Sequence, residues 1–222
     1  EGELPREYKA CERRIFELLS EDGYWERFPI IIEELIKVNF TSLDSFPNIE
    51  IKINNSGKIE MLYYCVMMVT KEGKYVGLDM HKSVLDKRIA ARIIDTGYYI
   101  AEQYAQSGYR GHFDLDMISD KNNHIYVCES NTRNTGGTDV YKLVRNIYGE
   151  DFLSDIYVLN RDDFKFDDRR KIGFDELIKT LKPILIDRNK KEGVVLSASK
   201  PLEFNQLSYT VFGKNKKAAY NL

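Results

Sequence analysis

Two short segments that alternate between apolar and polar residues constrain the fold of this chain most. The first spans residues 113–118 (Phe-Asp-Leu-Asp-Met-Ile), and the second spans residues 125–131 (Ile-Tyr-Val-Cys-Glu-Ser-Asn). Residues 120–123 between them read Asp-Lys-Asn-Asn, which is turn sequence. Strand patterns separated by so short a turn are typical of an antiparallel hairpin. We therefore predict a hairpin whose polar residues carry the chemistry.

Pairing these two strands can bring oxygen-bearing side chains together. Because side chains alternate between the faces of a strand, Asp114 and Asp116 share one face, and Glu129 and Asn131 share another. The hairpin can therefore gather Asp116, Glu129 and Asn131 into an all-oxygen cluster. Such a cluster suits Mg²⁺ or Mn²⁺ bound to substrate phosphates. The alternative is that these acids line the solvated side of a two-stranded ribbon.

The residues that follow the hairpin point to anion binding. Arg133 supplies a planar group that can hold a carboxylate or an acyl phosphate in two-point contact. Gly136, Gly137 and Thr138 bring backbone amides to the predicted start of a helix, where the partial positive charge favours an anion. A surface arginine and an ordinary helix start are the alternatives. Beside the predicted metal cluster, these residues indicate a metal–triphosphate site.

The rest of the chain mixes helical and strand patterns. Apolar spacing predicts helices over residues 8–19, from residue 84 to a stop at Gly108, and over 140–147 and 174–189, with Ser83 as the N-cap of the second and Pro183 bending or dividing the last. Alternation and turn residues predict strands over residues 28–36, 49–53 and 59–70, and a closing strand pair after residue 192. Residues 161–171 are highly charged and predict an exposed connection. Antiparallel signals dominate, so the fold class is α+β.

Composition excludes several classes of function. The formal charge of −2 is spread over both signs along the chain, which argues against a nucleic-acid partner. The three cysteines are isolated, which argues against a disulfide framework and fits a reducing cytoplasm. No apolar run approaches the ~20 residues that span a bilayer, and the start lacks a signal-peptide pattern. We expect a cytoplasmic protein without a membrane partner.

Four motifs together resemble the ATP-grasp superfamily in order and spacing. They are Gly-Tyr-Arg-Gly at residues 108–111, Asp-Met-Ile at 116–118, Ile-Tyr-Val-Cys-Glu-Ser-Asn-Thr-Arg at 125–133 and Gly-Gly-Thr at 136–138. The resemblance implies an antiparallel sheet flanked by helices, with ATP and Mg²⁺ as cofactors. It implies roles for Asp116, Glu129 and Asn131 on the metal, and for Arg133 and Arg110 on the acyl phosphate. The Glu-x-Asn-Thr-Arg form looks like biotin carboxylase, but the longer Asn-Thr-Arg-x-Thr-Gly-Gly-Thr run looks more like peptide ligases of the pheganomycin type.

Residues 30–36 (Ile-Ile-Ile-Glu-Glu-Leu-Ile) resemble the hinge between the two lobes of these enzymes. The resemblance implies that Glu33, Glu34, Leu35 and Ile36 form the adenine segment. The glycine-rich loop and lysines that bind ATP phosphates normally precede the hinge by several tens of residues, and too few residues precede it here. We therefore expect the N-terminal lobe to be incomplete or missing. Residues 1–29 would be its remnant, 30–150 the nucleotide- and metal-binding core, and 151–222 a C-terminal helix with closing strands.

The resemblance implies an ATP-dependent carboxylate–amine ligase that forms an amide or peptide bond through an acyl phosphate. Its partners would be a small-molecule carboxylic acid and an amine or peptide, and a homodimer is allowed. One alternative is a non-catalytic nucleotide-binding domain, favoured by the missing lysine-bearing lobe. Another is a metal-dependent phosphate hydrolase built on Asp114, Asp116 and Glu129. The sequence has no Walker phosphate loop, Gly-x-Ser-x-Gly elbow or His-Glu-x-x-His motif.

Overall fold

A computed structural model describes residues 6–21, 33–38, 43–166, 172–187, 189–198 and 205–222. The chain divides into two compact units, residues 1–36 and 37–222. The described part of the first unit is helix α1 (Arg6–Glu21) and residues 33–36, which have no regular secondary structure. Residues 28–32 of the strand predicted over 28–36 lie outside the described residues. The prediction is wrong for residues 33–36, because the described part of this unit has no strand for them to pair with.

The second unit is built on one antiparallel sheet. Its strands are β1 (Pro47–Ile53), β2 (Ile59–Val69), β3 (Tyr75–Met80), β4 (Gly111–Ser119), β5 (Ile125–Asn131), β6 (Tyr157–Lys165), β7 (Gly193–Ala198) and β8 (Gln206–Gly213). Its helices are α2 (Lys87–Gln106), α3 (Gly136–Tyr148), α4 (Phe174–Leu181) and α5 (Lys216–Tyr220). The strand order is β5-β4-β1-β2-β3-β6-β8-β7. The predicted α+β class, an antiparallel sheet flanked by helices, is confirmed.

Helix α2 covers the apolar face of β1 and β2. Ile49, Ile51 and Ile53 are fully or almost fully buried beneath it. Gly97 permits the close approach, because a Cβ atom there would lie 2.9 Å from Ile51 Cδ1 and 3.0 Å from Ile49 Cδ1. The alternation of β1 then leaves its polar residues on the opposite face of the sheet.

Helix α3 packs on that opposite face. Val140, Tyr141 and Val144 are buried in a second apolar cluster, and the Tyr141 ring stacks on that of Tyr63 in β2 with centroids 5.3 Å apart. This packing fixes the direction of α3 over the sheet. The start of the helix, at Gly136, therefore lies beside the polar residues of β1 and β4.

Three predicted helix boundaries were wrong. Helix α2 begins at Lys87, because the Asp86 side chain accepts a hydrogen bond from the Arg88 amide at 2.8 Å and caps it, whereas the Ser83 hydroxyl bonds His81 Nδ1 at 2.8 Å. Helix α3 begins four residues earlier than predicted. Helix α4 ends at Leu181, before Pro183, which lacks the amide that would extend it, and the helix predicted to reach residue 189 does not resume in the described residues beyond it. None of the described helices is long and apolar enough to cross a membrane.

The charged connection predicted over residues 161–171 was also wrong in its first part. Strand β6 occupies residues 157–165 and pairs with β3 and β8 inside the sheet. Its Arg161 guanidinium donates to Asp79 Oδ1 at 3.0 Å, and Asp79 is almost fully buried. Asp79 Oδ2 also accepts from the hydroxyls of Tyr157 (2.8 Å) and Tyr220 (2.7 Å). A buried partner on β3 therefore accommodates the charge that made this segment look like a loop.

Candidate functional site

Strand β4 lies between β1 and β5, and its register brings polar side chains together. Asp116 is opposite Asn48 of β1 and Glu129 of β5. Its Oδ1 accepts from Asn48 Nδ2 at 2.7 Å, and its Oδ2 accepts from Asn131 Nδ2 at 3.2 Å. The juxtaposition expected from strand alternation is thus present. The role of Asp116, Glu129 and Asn131 as metal ligands stays a prediction.

Asp114 is a buried carboxylate beside this group. Its Oδ1 atom has no hydrogen-bond partner among the described residues. Burial, together with the negative charge of Asp116, raises the pKa of Asp114 to about 6. Burial also raises the pKa of Asp116, and the charge of Glu129 adds to that rise. Such shifts indicate carboxylates that lack compensating positive charge.

These side chains line a cavity of about 270 Å³ on the face of the sheet that carries α3. Asn48, Asp114, Asp116, Glu129 and Asn131 form its oxygen-rich side. The remaining lining combines the apolar and aromatic residues of β2 and β3 with the segment that leads into α3, namely Tyr63, Cys65, Met67, Tyr75, Leu78, Arg133, Thr135, Gly136 and Gly137. The cavity therefore sets a carboxylate cluster beside an arginine and a helix start.

Arg133 and the first residues of α3 form the cationic side. The Arg133 side chain is exposed, and its Nη2 donates to Asn131 Oδ1 at 3.1 Å. Asn131 therefore lies between Arg133 and Asp116. Gly136 and Gly137, the first two residues of α3, line the cavity. The first amides of an α-helix have no intrahelical acceptor. The predicted proximity of an arginine and a glycine pair to the acids is present.

Thr138 does not offer its side chain to the cavity. Its Oγ1 donates to Glu50 Oε2 at 2.7 Å and accepts from the Thr135 amide at 2.8 Å. Glu50, which is fully buried, and Asn48 are the residues that sequence reasoning missed. Only part of the signal lies in the sequence: the isoleucine alternation of residues 49–53 puts Asn48 and Glu50 on the face opposite those isoleucines, but it does not identify their partners.

Arg110 is not brought to the cavity. Its Nη1 donates to the carbonyl oxygens of Ala105 at 3.0 Å and Tyr109 at 2.7 Å, at the end of α2. The reason is its position just before the first residue of β4, whereas Asp116 lies towards the other end of that strand. Its predicted contact with an acyl phosphate is therefore not supported by this geometry.

The predicted adenine segment belongs to the first compact unit, residues 1–36. The side chains of Glu33, Glu34 and Leu35 are exposed, and that of Ile36 is half-buried. Its role in nucleotide binding stays a prediction.

The donor set fits a hard divalent cation. The described residues contain no group of three His, Cys, Asp or Glu side chains placed to hold a metal. The predicted set has only two carboxylates, and its third member is the Asn131 side-chain amide. All of its donor atoms are oxygens, which Mg²⁺ prefers. Asp114 also lines the cavity, and its buried Oδ1 has no hydrogen-bond partner among the described residues.

No protein-family model matches the sequence, and no curated protein matches it. Solved structures do share its fold. Biotin carboxylase from Campylobacter jejuni, in a β-γ-ATP complex, superposes with a TM-score of 0.58 at 12% identity, over 85% of this chain and 45% of that one. The ATPase subunit of phosphoribosylaminoimidazole carboxylase from Aquifex aeolicus superposes with a TM-score of 0.54 at 12% identity. The match covers 86% of this chain and 55% of that one. N5-carboxyaminoimidazole synthetase from Staphylococcus aureus, complexed with ADP, superposes with a TM-score of 0.51 at 11% identity. The match covers 85% of this chain and 50% of that one.

The chain has part of the ATP-grasp fold. At these identities the likeness concerns the fold alone, and the chain spans about half the length of the structures it matches. The ATP-grasp fold expected from the four motifs is confirmed. The narrower likeness to peptide ligases of the pheganomycin type stays a prediction.

Proposed function

We propose that this chain is the C-terminal part of an ATP-dependent carboxylate–amine ligase. The observation that carries the proposal is one cavity that combines the oxygen cluster of Asp116, Glu129 and Asn131 with Arg133. Its place on an ATP-grasp fold supports ATP as the nucleotide. The reaction would join a small carboxylic acid to an amine or peptide through an acyl phosphate.

The carboxylate side of the cavity would hold Mg²⁺ or Mn²⁺. Asp116, Glu129 and Asn131 would supply the protein oxygens, and Asp114, opposite Asn131 in the register, lines the same cavity. A bound divalent cation neutralises the charge that develops on transferring phosphate oxygens. Asn48 would keep Asp116 oriented through the bond at 2.7 Å.

Arg133 and the start of α3 would position the reacting groups. The Arg133 guanidinium can hold the substrate carboxylate in two-point contact while that carboxylate attacks the γ-phosphorus of ATP. The amides of Gly136 and Gly137 can hold phosphate oxygens at the helix start. The amine then displaces phosphate from the acyl phosphate and forms the amide. No covalent enzyme nucleophile is required.

A second candidate is a carboxylase-type reaction in which bicarbonate is the acid. The solved structures named above include a biotin carboxylase and an N5-carboxyaminoimidazole synthetase, which favours this option at the level of the fold. Both candidates begin with phosphorylation of a carboxylate by ATP, so both use the same residues. They differ in the acid that Arg133 would hold.

The full-length protein should release ADP and phosphate when supplied with ATP, Mg²⁺, an acid and an amine. We expect Glu129→Gln and Asn131→Ala to abolish that turnover. Glu102→Gln, on the exposed side of α2, and Asn122→Ala, in the exposed β4–β5 turn, are matched controls that should keep it. Undiminished turnover in both site variants would remove the metal assignment. A wild-type protein that binds ATP without turnover would favour the non-catalytic alternative.

A further inference from the structure

Glu50 is a fully buried carboxylate that the proposed reaction does not use. Its Oε1 is 2.9 Å from His112 Nδ1, and its Oε2 accepts from the hydroxyls of Tyr63 and Thr138, each at 2.7 Å. The three partners come from β4, β2 and α3. Burying a carboxylate is costly unless hydrogen bonds compensate it, so a carboxylate bonded on both oxygens marks a specified arrangement.

Thr138 connects this carboxylate to the segment that borders the cavity. A hydroxyl has one proton, which Thr138 donates to Glu50, so its lone pair is left to accept the Thr135 amide at 2.8 Å. The turn from Thr135 to Thr138 is thereby tied to the sheet. Gly136 and Gly137 lie inside that turn and line the cavity, whereas Glu50 does not.

Tyr63 sets how closely the same turn approaches the sheet. A Cβ atom on Gly137 would lie 2.3 Å from Tyr63 Oη. Tyr63 is fully buried and its hydroxyl is held by Glu50, so the ring cannot easily move aside. Glu50 thus accepts hydrogen bonds both from the Thr138 hydroxyl, which also bonds the Thr135 amide, and from Tyr63, against which Gly137 packs.

We propose that Glu50 is a positioning residue for phosphate binding. Through Thr138 and Tyr63 it fixes the Gly136 and Gly137 amides at the cavity in the geometry that an anion needs. The inference rests on the proposed function for its ligand, a magnesium-bound phosphate. It differs from a purely structural role because loss of the Thr138 hydroxyl should change the amides and the anion affinity, and not only the stability.

The test compares Thr138→Val, which keeps the side-chain shape but removes the hydroxyl, with Thr138→Ser, which keeps the hydroxyl. Calorimetric titration with inorganic pyrophosphate and Mg²⁺ measures affinity, and amide hydrogen exchange without ligand measures the turn. We expect Thr138→Val to weaken pyrophosphate binding about tenfold and to speed exchange at Gly136 and Gly137. Thr138→Ser should stay close to the wild type in both measurements.

Tyr157→Phe is the matched control for stability. It also removes a hydroxyl donor from a buried carboxylate, that of Asp79, but away from the cavity. We expect it to lower the melting temperature while leaving pyrophosphate affinity and the exchange of the Thr135–Thr138 turn unchanged. A Thr138→Val variant that behaves like Tyr157→Phe would overturn the proposal. If the wild type binds no magnesium pyrophosphate, the proposed function fails, and exchange at Gly136 and Gly137 alone decides the role of Glu50.

Discussion

At the scale of single residues, Asp114 has the most unusual environment of the cavity. Its carboxylate is buried, one oxygen has no partner among the described residues, and its pKa is raised to about 6. A pKa raised in this way means that the fold disfavours the ionised form. A divalent cation at Asp116 would reverse that balance, because its positive charge favours ionised neighbours.

We predict that Asp114→Asn uncouples stability from magnesium. In EDTA at neutral pH the variant should melt at or above the temperature of the wild type, because it no longer buries a charge. Excess Mg²⁺ should raise the melting temperature of the wild type more than that of the variant. The exposed Asp95→Asn serves as control and should respond like the wild type. An equal magnesium response in Asp114→Asn would contradict the prediction.

The environment of His81 predicts how the stability of the fold depends on pH. Burial lowers the pKa of His81, and its Nδ1 accepts the Ser83 amide at 3.1 Å, which requires the neutral ring. When the pKa of a histidine is lower in the folded state than in the unfolded state, the neutral ring stabilises the fold. This contribution is complete above the unfolded-state pKa of about 6.5 and is lost as the pH falls through the folded-state pKa. Urea unfolding should therefore show stability falling between about pH 7.5 and 5. His81→Asn, whose Oδ1 can accept the same amide, should flatten that fall, and an unchanged slope would refute the assignment.

The sequence alone located some site residues and missed others for a physical reason. Strand alternation is local, so it was enough to place Asp116 near Glu129 and Asn131. Asn48 and Glu50 were missed because their partners, Asp116 and Thr138, are 68 and 88 positions away along the chain. Contacts at such separations depend on strand order, which the hydrophobic pattern does not specify.

At the scale of elements, Gly97 marks a close contact between α2 and β1. The missing side chain of Gly97 lets the helix rest on Ile49 and Ile51, both fully buried. Helix propensity favours alanine over glycine by about 1 kcal/mol, whereas overpacking a core costs about 1–3 kcal/mol. We expect the packing effect to prevail, because the two Cδ1 atoms that would have to shift belong to fully buried side chains.

Gly97→Ala should therefore lower the free energy of unfolding by about 1–2 kcal/mol, despite the better helix former. Asp95→Ala, at an exposed position of the same helix, should be neutral or slightly stabilising. Chemical denaturation of both variants measures the difference. A stabilised Gly97→Ala would mean that the helix can shift away from the sheet.

Helices and strands were predicted correctly where the local sequence signals all favoured the same structure. They were missed where a contact with a residue distant in sequence determines the structure. The β4–β5 hairpin follows from its turn residues, and α2 follows from its apolar stripe. Strand β6 was missed because its charged residues resemble those of a loop until Asp79, 82 positions from Arg161, is placed beside it. The start of α2 moved from Ser83 to Asp86 because two polar residues could each cap a helix, and His81 engages the serine.

At the scale of the whole molecule, Asp79 connects the middle of the sheet to the end of the described chain. Arg161 of β6 and Tyr220 of α5 both bond its buried carboxylate. A buried carboxylate and its arginine stabilise mainly as a pair, since removing one leaves the other charge without compensation. The network therefore couples β3, β6 and the C-terminal helix.

Asp79→Asn should lower the free energy of unfolding by about 3 kcal/mol, because Arg161 would keep an uncompensated charge. The double variant Asp79→Asn with Arg161→Met should recover part of that loss. Asp155→Asn breaks only an exposed ion pair with Lys191 and should cost less than about 1 kcal/mol. Denaturant unfolding compares the three, and a double variant no better than Asp79→Asn would argue against coupling.

Strand β5, which carries Glu129 and Asn131, pairs with β4 alone and ends the sheet within the described part of the chain. Two of the three proposed ligands therefore lie on an edge strand of the sheet. Edge elements open locally at a lower free energy than the global unfolding of a protein. Each such opening would separate the proposed ligands while the rest of the sheet stays folded. The apparent metal affinity would then be the intrinsic affinity multiplied by the fraction of molecules in which β5 is paired. A bound ion would in turn stabilise the paired state of β5, so that the edge of the sheet opens no more readily than its centre.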